Sequence, residues 1–360
     1  MKKDKFKIAV LGYGTVGRAL VTLLDGHDSG IEVVSILRRP GKATEARMTD
    51  TFETVLAQKD LDAVVDVLPG AEPSFGYIQA ALEAGLNVVT ANKAALAKDF
   101  AGLLALAHSK GVRLLFEASC GGGMPIVETL KKLTRFDRVN ALEGILNGTC
   151  NFMLDAMESR GWSFEEALRE AQRLGYAEAD PSADISGRDV LNKAVIACSL
   201  AYGAPVSPDM PVSGIEKVSA DFVRSLLGQG KHLRLMLLSR ARDGRYAAGI
   251  VPVVVSADTL AANVKENFNF ARIDCDVLGP LSLMAQGAGG NPTADAVIHD
   301  LLNCQLGTAE EGRLDGSLSC DPSLLTGRAY IGADVHDAVT LEEAVALARK
   351  LDAFLAFEPL

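Results

Sequence analysis

The segment KIAVLGYGTVG, residues 7–17, joins a short apolar run to three glycines. Residues 7–11 have the composition of a buried parallel strand, and apolar residues at helical spacing follow from Val16. In a strand–turn–helix unit, glycines allow a tight turn, the close approach of a pyrophosphate and close helix packing. The segment therefore predicts dinucleotide binding; the alternative is a glycine turn that holds no ligand. The candidate cofactor contacts are Gly12, Gly14, Thr15, Val16 and Gly17.

The end of the second predicted strand, residues 32–37, bears on the choice of cofactor. An NAD-preferring site usually has Asp or Glu there, which bonds the ribose 2′-hydroxyl. Here Arg38 and Arg39 follow the strand, and guanidinium groups match a 2′-phosphate in charge and in bidentate geometry. We therefore predict a preference for NADP over NAD. The alternative is a pair of solvated surface arginines.

Strand and helix patterns alternate as far as residue 116, which predicts an α/β domain with a doubly wound, Rossmann-type parallel sheet over residues 1–130. The further strands are predicted at 63–68, 87–90 and 112–116, with helices at 74–84 and 99–109. Lys93 follows the fourth strand. Because ligands bind at the carboxyl ends of such strands, Lys93 is predicted to face the cofactor or the substrate.

A glycine-rich joint, EASCGGGMP at residues 117–125, follows the first domain. Its glycines free the backbone to act as a hinge or to turn carbonyl oxygens towards a hard cation, and the residues alone favour the hinge. A second, α+β domain with a largely antiparallel sheet is predicted over residues 131–286. Its predicted strands are 138–146, 232–239, 246–255 and 267–285, and the predicted helices are 126–133, 150–159 and 163–174.

The composition excludes several classes of protein. The 360 residues include 36 Lys and Arg against 46 Asp and Glu, a net charge of −10, which argues against a nucleic-acid or membrane-surface partner. No apolar run reaches the roughly 18 residues that a membrane helix needs. The six cysteines form no C-x-x-C pair and the histidines lack metal-ligand spacing, so a zinc site is not indicated. We recognise no secretion signal and expect a cytoplasmic protein with reduced thiols.

The densest group of polar side chains lies in GYAEADPSADISGRDVLNK, residues 175–193. Asp189 and Lys193 are four residues apart and so share one face of a helix. Asp184 is predicted to lie in the turn that enters this helix. The alternative to a reactive site is a capped helix start with a solvated ion pair.

The sequence resembles the homoserine dehydrogenase family from Ile8 to about Leu302. Six ordered blocks carry the resemblance: GYGTVG, VVTANKAALA, FEASCGGGMPI, GILNGTCNFML, GYAEADPSADISGRDVLNKA and GAGGNPTADAVIHDL. It implies the reversible, NAD(P)-dependent reduction of L-aspartate 4-semialdehyde to L-homoserine, on the route to threonine, methionine and isoleucine. The alternatives are a related enzyme for another amino-alcohol or semialdehyde, and an NADP-binding regulatory protein without turnover.

The resemblance also implies roles for the polar residues. Lys193 is the implied proton donor and acceptor, Asp189 orients it, and Lys93 polarises the substrate near the nicotinamide. Which of the two lysines carries the proton stays open at this level. The implied substrate contacts are Glu178 and Asp184, which receive the ammonium group, and Tyr176 and Thr149, which lie in matching blocks.

Two glycine-rich loops gain roles from the resemblance. The joint is similar to the family's site for a structural monovalent cation, which favours a sodium site over a plain hinge. The implied ligands are the carbonyl oxygens of Glu117, Cys120, Gly122 and Met124. The later loop at 287–294 implies a return of residues 287–304 to the first domain, with Gly289 at the cofactor. Ala285-Gln286 stands where the family often has Gly-Pro, a departure at the start of this loop.

The tail, residues 305–360, is too short for the complete regulatory ACT domain that many bacterial family members carry. Its pattern predicts a strand at 328–335, a helix at 340–351 and a strand at 354–357. It is either a reduced ACT-like half or dimer-contacting element, or an extension without a sensing role, which we favour. The family resemblance further implies a homodimer or a higher homo-oligomer.

Overall fold

The computed structural model describes residues 5–309 and 312–360, and contacts within the chain divide it into two units. The first comprises the described residues up to 131 together with 288–313, and the second comprises 132–287 and 314–360. The strands are β1 (Phe6–Leu11), β2 (Ile31–Leu37), β3 (Met48–Thr49), β4 (Ala63–Asp66), β5 (Asn87–Thr90), β6 (Leu114–Leu115), β7 (Val139–Ile145), β8 (Lys231–Arg242), β9 (Arg245–Ser256), β10 (Phe268–Cys275), β11 (Gly279–Gln286), β12 (Ser319–Cys320), β13 (Thr326–Ile331), β14 (Asp334–Thr340) and β15 (Leu355–Pro359). The α-helices are α1 (Thr15–Gly26), α2 (Phe52–Leu56), α3 (Ser74–Glu83), α4 (Lys93–Lys98), α5 (Phe100–Lys110), α6 (Ile126–Leu133), α7 (Gly148–Arg160), α8 (Phe164–Arg173), α9 (Ser182–Ile185), α10 (Arg188–Tyr202), α11 (Ala220–Leu227), α12 (Gly290–Leu306) and α13 (Leu341–Lys350).

The first unit contains a six-stranded parallel sheet in the order β3-β2-β1-β4-β5-β6. In β1, Leu11 is level with Leu37 of β2 on one side and with Asp66 of β4 on the other. The central strands therefore end at one edge, where the ligand crevice of a doubly wound sheet lies. The prediction of this sheet is confirmed, although the fifth predicted strand shortens to β6 and β3 has no counterpart in the predicted pattern.

Helix α12 packs on α1 within the first unit, although it comes far later in the sequence. Leu20 and Leu24 of α1 share a buried cluster with Val297 and Leu301 of α12, and burial of each such side chain contributes roughly 1.5–3 kcal/mol. The two helices also start side by side, because a Cβ added at Gly290 would lie 3.2 Å from the Thr15 Cγ2.

The second unit is built on a nine-stranded, mostly antiparallel sheet in the order β11-β10-β7-β8-β9-β15-β13-β14, with β12 paired to β9. Its longest ladder joins β8 to β9 over twelve residue pairs. The parallel exceptions are the pairs of β15 and of β12 with β9. The prediction of a largely antiparallel second sheet is therefore confirmed.

Two predicted strands are wrong because each is a hairpin. The stretch 267–285 divides into β10 and β11, which pair along their whole length. The tail segment 328–335 divides into β13 and β14. β13 also pairs with β15, and β15 with β9, so the tail extends the second sheet, and α13 shares its buried core.

Among the described residues, no helix has the length and hydropathy that crossing a bilayer requires.

Candidate active site

The turn between β1 and α1 has the backbone that a dinucleotide fold needs. Gly12 has φ +104°, where an L side chain would be strained. Gly14 is the N-cap of α1 and makes no side-chain cap hydrogen bond, so the first N–H groups of the helix are available to an anion. A Cβ at Gly17 would overlap the carbonyl oxygen of Gly12, so only glycine allows this helix to lie so close to the turn.

A cavity of about 640 Å³ opens at this turn, and several cationic side chains line it. Its lining includes Tyr13, Arg18, Arg38, Arg39 and Lys42. The Arg38 guanidinium lies 5.2 Å from the centroid of the Tyr13 ring, and that of Arg18 lies 5.8 Å from it. The tyrosine ring thus faces two of the guanidinium groups, and the positive charge matches a phosphate-bearing ligand.

Lys93 is the first residue of α4, directly after β5. The preceding Asn92 caps this helix by accepting the N–H of Ala95 at 3.0 Å. The Asn92 amide also donates to the carbonyl oxygens of Leu68 at 2.9 Å and Gly70 at 2.7 Å. Asn92 therefore fixes Lys93 beside the loop that follows β4, at the ligand-binding edge of the first sheet.

Asp66, the last residue of β4, hydrogen-bonds the segments at the ends of the strands. It is fully buried, and its carboxylate accepts hydrogen bonds from the hydroxyls of Ser74 and Thr90 and from the N–H of Leu68. Burial raises the pKa of Asp66. A buried carboxylate with several hydrogen-bond donors rigidifies the loops around it.

In the second unit, α10 carries the predicted reactive pair. The Lys193 ammonium donates to Asp189 Oδ2 at 2.7 Å and to the carbonyl oxygen of Leu146 at 2.6 Å. The side chains of Lys193 and Asp189 are 9% and 10% exposed. The ion pair is therefore buried and not solvated, and a buried ammonium between two acceptors has a fixed direction.

Asn147 links the carboxylates of Asp184 and Asp189, and the sequence analysis did not identify it as a site residue. Its amide nitrogen donates to Asp184 Oδ1 at 2.7 Å and to Asp189 Oδ2 at 2.8 Å. Its oxygen caps α7 by accepting the N–H of Cys150 at 2.8 Å. The cap preference of Asn is readable from the sequence, but the link to two distant carboxylates depends on the fold. We name Asn147, Asp184, Asp189, Lys193 and the Leu146 carbonyl the lysine cluster.

Cys150 lies beneath the lysine cluster, and its thiol donates to the carbonyl oxygen of Asp184 at 3.3 Å. Burial and then the charges of Asp184 and Asp189 raise the pKa of Cys150 well above its ordinary value. The thiol therefore stays protonated and acts as a structural donor rather than as a nucleophile.

The remaining predicted substrate contacts lie at different depths. Thr149 is buried, and its hydroxyl donates to the carbonyl oxygen of Tyr176 at 2.5 Å. The Tyr176 ring contacts that of Phe152 edge to face, with 5.2 Å between centroids. Glu178 is exposed, and among the residues that the structure describes no hydrogen bond links its carboxylate to the lysine cluster. Asp184 lies in α9 rather than in a plain turn.

The glycine-rich joint folds into a buried loop in the first unit. The Glu117 carboxylate caps α6 by accepting the N–H groups of Val127 at 3.0 Å and Glu128 at 2.6 Å. The N–H of Glu117 donates to buried Asp300 of α12 at 2.9 Å. Burial raises the pKa of both carboxyl groups to about 7.

The candidate cation ligands in this loop are backbone carbonyls. Those of Glu117 and Met124 each accept one N–H, from Cys120 at 3.3 Å and from Ile126 at 2.7 Å, and a carbonyl oxygen has a second lone pair. Gly122 has φ +65°. In residues 5–309 and 312–360, no cluster of three or more His, Cys, Asp or Glu side chains forms a metal site, so a cation here depends on carbonyl oxygens.

The chemistry available in the second unit is proton transfer beside two carboxylates that Asn147 joins. A buried, oriented ammonium can give a proton to an oxygen that gains charge, or take one back in the reverse direction. Asp184 and Asp189 provide negative charge within one hydrogen bond of Asn147, which suits a small ligand with an ammonium group.

Two family models match the chain. Residues 125–302 match the family described as Homoserine dehydrogenase, and residues 12–117 match its NAD binding domain. The homoserine dehydrogenase of Corynebacterium glutamicum is 35% identical over 358 residues, which cover 92% of this chain and 80% of that protein.

Solved structures agree with the sequence relatives. A homoserine dehydrogenase from Thiobacillus denitrificans superposes with a TM-score of 0.88 at 29% identity, covering 98% of each chain. A hyperthermophilic archaeal homoserine dehydrogenase in complex with NADPH gives a TM-score of 0.73 at 26% identity, covering 86% of this chain and 100% of that one.

Proposed function

The chain belongs to the homoserine dehydrogenase family, and on that premise we propose that it interconverts L-homoserine and L-aspartate 4-semialdehyde with an NAD(P) cofactor. The observation that supports this most directly is the buried Lys193 ammonium between Asp189 and the Leu146 carbonyl. This is the geometry of a positioned proton donor.

In the reducing direction, a bound NAD(P)H would supply a hydride to the aldehyde carbon. Lys193 gives a proton to the aldehyde oxygen as negative charge develops on it, and Asp189 keeps the ammonium aimed. Lys193 takes the proton back from the alcohol in the reverse direction. For Lys93 we propose polarisation of the substrate carbonyl.

The substrate is a zwitterion, so its ammonium requires carboxylates. We propose Asp184, held by Asn147, and Glu178 for this contact. Glu178 is exposed, so its carboxylate is accessible to a ligand. Thr149 and Tyr176 complete the proposed contacts.

The activity is tested by steady-state oxidation of L-homoserine with NADP and NAD in parallel. We expect turnover with homoserine and little with other amino-alcohols. Preferred turnover of a different amino-alcohol would establish the related-enzyme alternative, and nucleotide binding without turnover would establish the regulatory one.

We further propose a preference for NADP, with Arg38 and Arg39 as ligands of the 2′-phosphate. Arg38→Ala is expected to raise the KM for NADP by about 10–100-fold, since a charge-assisted contact contributes roughly 1.5–3 kcal/mol, while the KM for NAD changes little. Arg18→Ala at the same cavity is the comparison, because it removes the other guanidinium that lies near the Tyr13 ring. Equal losses with both cofactors in Arg38→Ala would contradict the assignment.

The remaining proposals concern assembly and ions. We propose a homodimer or higher homo-oligomer in the cytoplasm, with nucleotide-binding residues 1–130, catalytic residues 131–286 and an extension at 305–360 that has no sensing role. Inhibition by threonine at metabolic concentrations would contradict the last assignment. A structural sodium ion is proposed at the carbonyls of Glu117, Cys120, Gly122 and Met124, where the loop is largely buried.

A further inference from the structure

Asn269 of β10 is an unexplained polar residue in the second unit. It is 0% exposed, and neither its amide nitrogen nor its amide oxygen has a hydrogen-bond partner among the described residues. Native proteins rarely leave a buried amide without a partner at either atom, because each loses its hydrogen bonds to water. Such a group in an enzyme points to a ligand that completes it.

The side chain of Asn269 lies on the sheet face that α10 covers. Tyr202 of α10 hydrogen-bonds Ser239 at 2.6 Å, and Ser239 is level with Leu142, which is level with Ile273 of β10. Side chains two residues apart in a strand share a face. Asn269, four residues before Ile273, therefore lies on the same sheet face as Ile273.

Asn269 also lies at the level of Lys193 along that helix. Lys193 and Tyr202 are nine helical residues apart, a rise of about 13.5 Å, and Leu146 and Leu142 are four residues apart in extended chain, about 13 Å. Tyr202 is held at Leu142 through Ser239, and Lys193 is bonded to the Leu146 carbonyl. α10 thus runs antiparallel to β7, with Lys193 above Leu146.

Extending the β10–β7 ladder by one residue places Asn269 level with Leu146. Phe270 pairs with Ile145, the last residue of β7, so the preceding residue of β10 is level with the following residue of β7. Paired residues in antiparallel strands have Cα atoms about 4.5–5.5 Å apart. The unpartnered amide and the ammonium of Lys193 therefore lie at the same end of β7.

Gly287 shows in which direction the amide leans. A Cβ at Gly287 would overlap the Asn269 carboxamide, so the amide extends over this glycine, beyond the end of β11. A glycine at 287 is required for the amide to occupy this place.

We propose that Asn269 is a further catalytic residue, whose Nδ2 donates a hydrogen bond to the substrate oxygen that Lys193 protonates. This inference rests on the proposed function. During reduction the carbonyl electron pair moves onto that oxygen, the proton comes from Lys193, and Asn269 stabilises the developing charge without giving up a proton. A donor already in place, with no partner to abandon, stabilises the transition state without reorganisation.

The test uses Asn269→Leu, which has similar volume and no polar atoms. Because it removes an unsatisfied amide, we expect the melting temperature to rise by a few degrees. The kcat for homoserine oxidation is expected to fall by about 10²–10³-fold, the usual loss on removal of one such donor, with the NADP dissociation constant unchanged.

Two further variants make the outcome decisive. Asn269→Asp keeps the shape but replaces the donor by a carboxylate, and we expect a kcat loss at least as large. Ser239→Ala on the same sheet face removes a buried hydroxyl bonded to Leu142 and Tyr202, and should lower stability with kcat unchanged.

An unchanged kcat in either Asn269 variant, beside an active wild type, would overturn this inference alone and mean that the amide holds only a water molecule. A wild type that does not oxidise homoserine would instead overturn the proposed function.

Discussion

Replacement of Lys193 by alanine is expected to lower kcat for homoserine oxidation by about 10²–10⁴-fold, the range typical of a lost general acid or base. The ammonium is buried and is held by Asp189 and the Leu146 carbonyl. A water molecule therefore does not readily take its position in the variant. NADP affinity should not change, because the variant leaves the β1–α1 turn and its cavity intact. Steady-state kinetics and a cofactor titration on the same preparation measure both quantities.

Lys231→Ala is the matched control for Lys193→Ala. Lys231 also forms a lysine–carboxylate ion pair in the second unit, with Glu358 at 2.6 Å, but it lies at the start of β8 and is more exposed. Its loss should cost little stability and no activity. Near-normal turnover in Lys193→Ala, or a comparable kcat loss in Lys231→Ala, would show that Lys193 does not transfer the proton.

The two sheets were predictable because their signals are local. Buried parallel strands read as short apolar runs, and the glycines of residues 12–17 mark the first turn by chain geometry alone. The pair Asp189 and Lys193 follows from helical spacing. These predictions require no knowledge of which distant residues meet.

The missed hairpin of β10 and β11 shows where local signals fail. Its turn contains Val277 and Leu278, which are 73% and 54% exposed and give the turn an apolar, strand-like composition. The Asp137 carboxylate accepts the N–H groups of both residues, and these backbone hydrogen bonds lower the pKa of Asp137. The contribution of a carboxylate so distant in sequence has no local signature.

The candidate site divides in the same way. Lys193 and Asp189 can be identified from the sequence, because their spacing puts opposite charges on one helix face. Asn147 and Asn269 do not, because an asparagine in a sequence is ordinary until the fold shows what its amide faces. For Asn147 that is a pair of carboxylates, and for Asn269 it is Gly287, beyond the end of β11.

Gly17→Ala is expected to weaken NADPH binding by about 10–100-fold. The added methyl group would overlap the Gly12 carbonyl oxygen, so α1 must move away from the turn or Gly12 must rotate. Overpacking of this kind costs typically 1–3 kcal/mol, and either movement displaces the N–H groups that hold the phosphates. Fluorescence titration with NADPH measures the loss.

Gly26→Ala separates this steric effect from any general effect of alanine in α1. Gly26 ends the same helix, and a Cβ there has no atom within 4 Å, so binding should not change and stability should be equal or slightly higher. Melting curves of both variants exclude unfolding as the cause of weaker binding. A folded Gly17→Ala variant that binds NADPH as tightly as the wild type would contradict this prediction. It would mean that the phosphates are not held at the start of α1, because displacement of those N–H groups must weaken any cofactor that they bind.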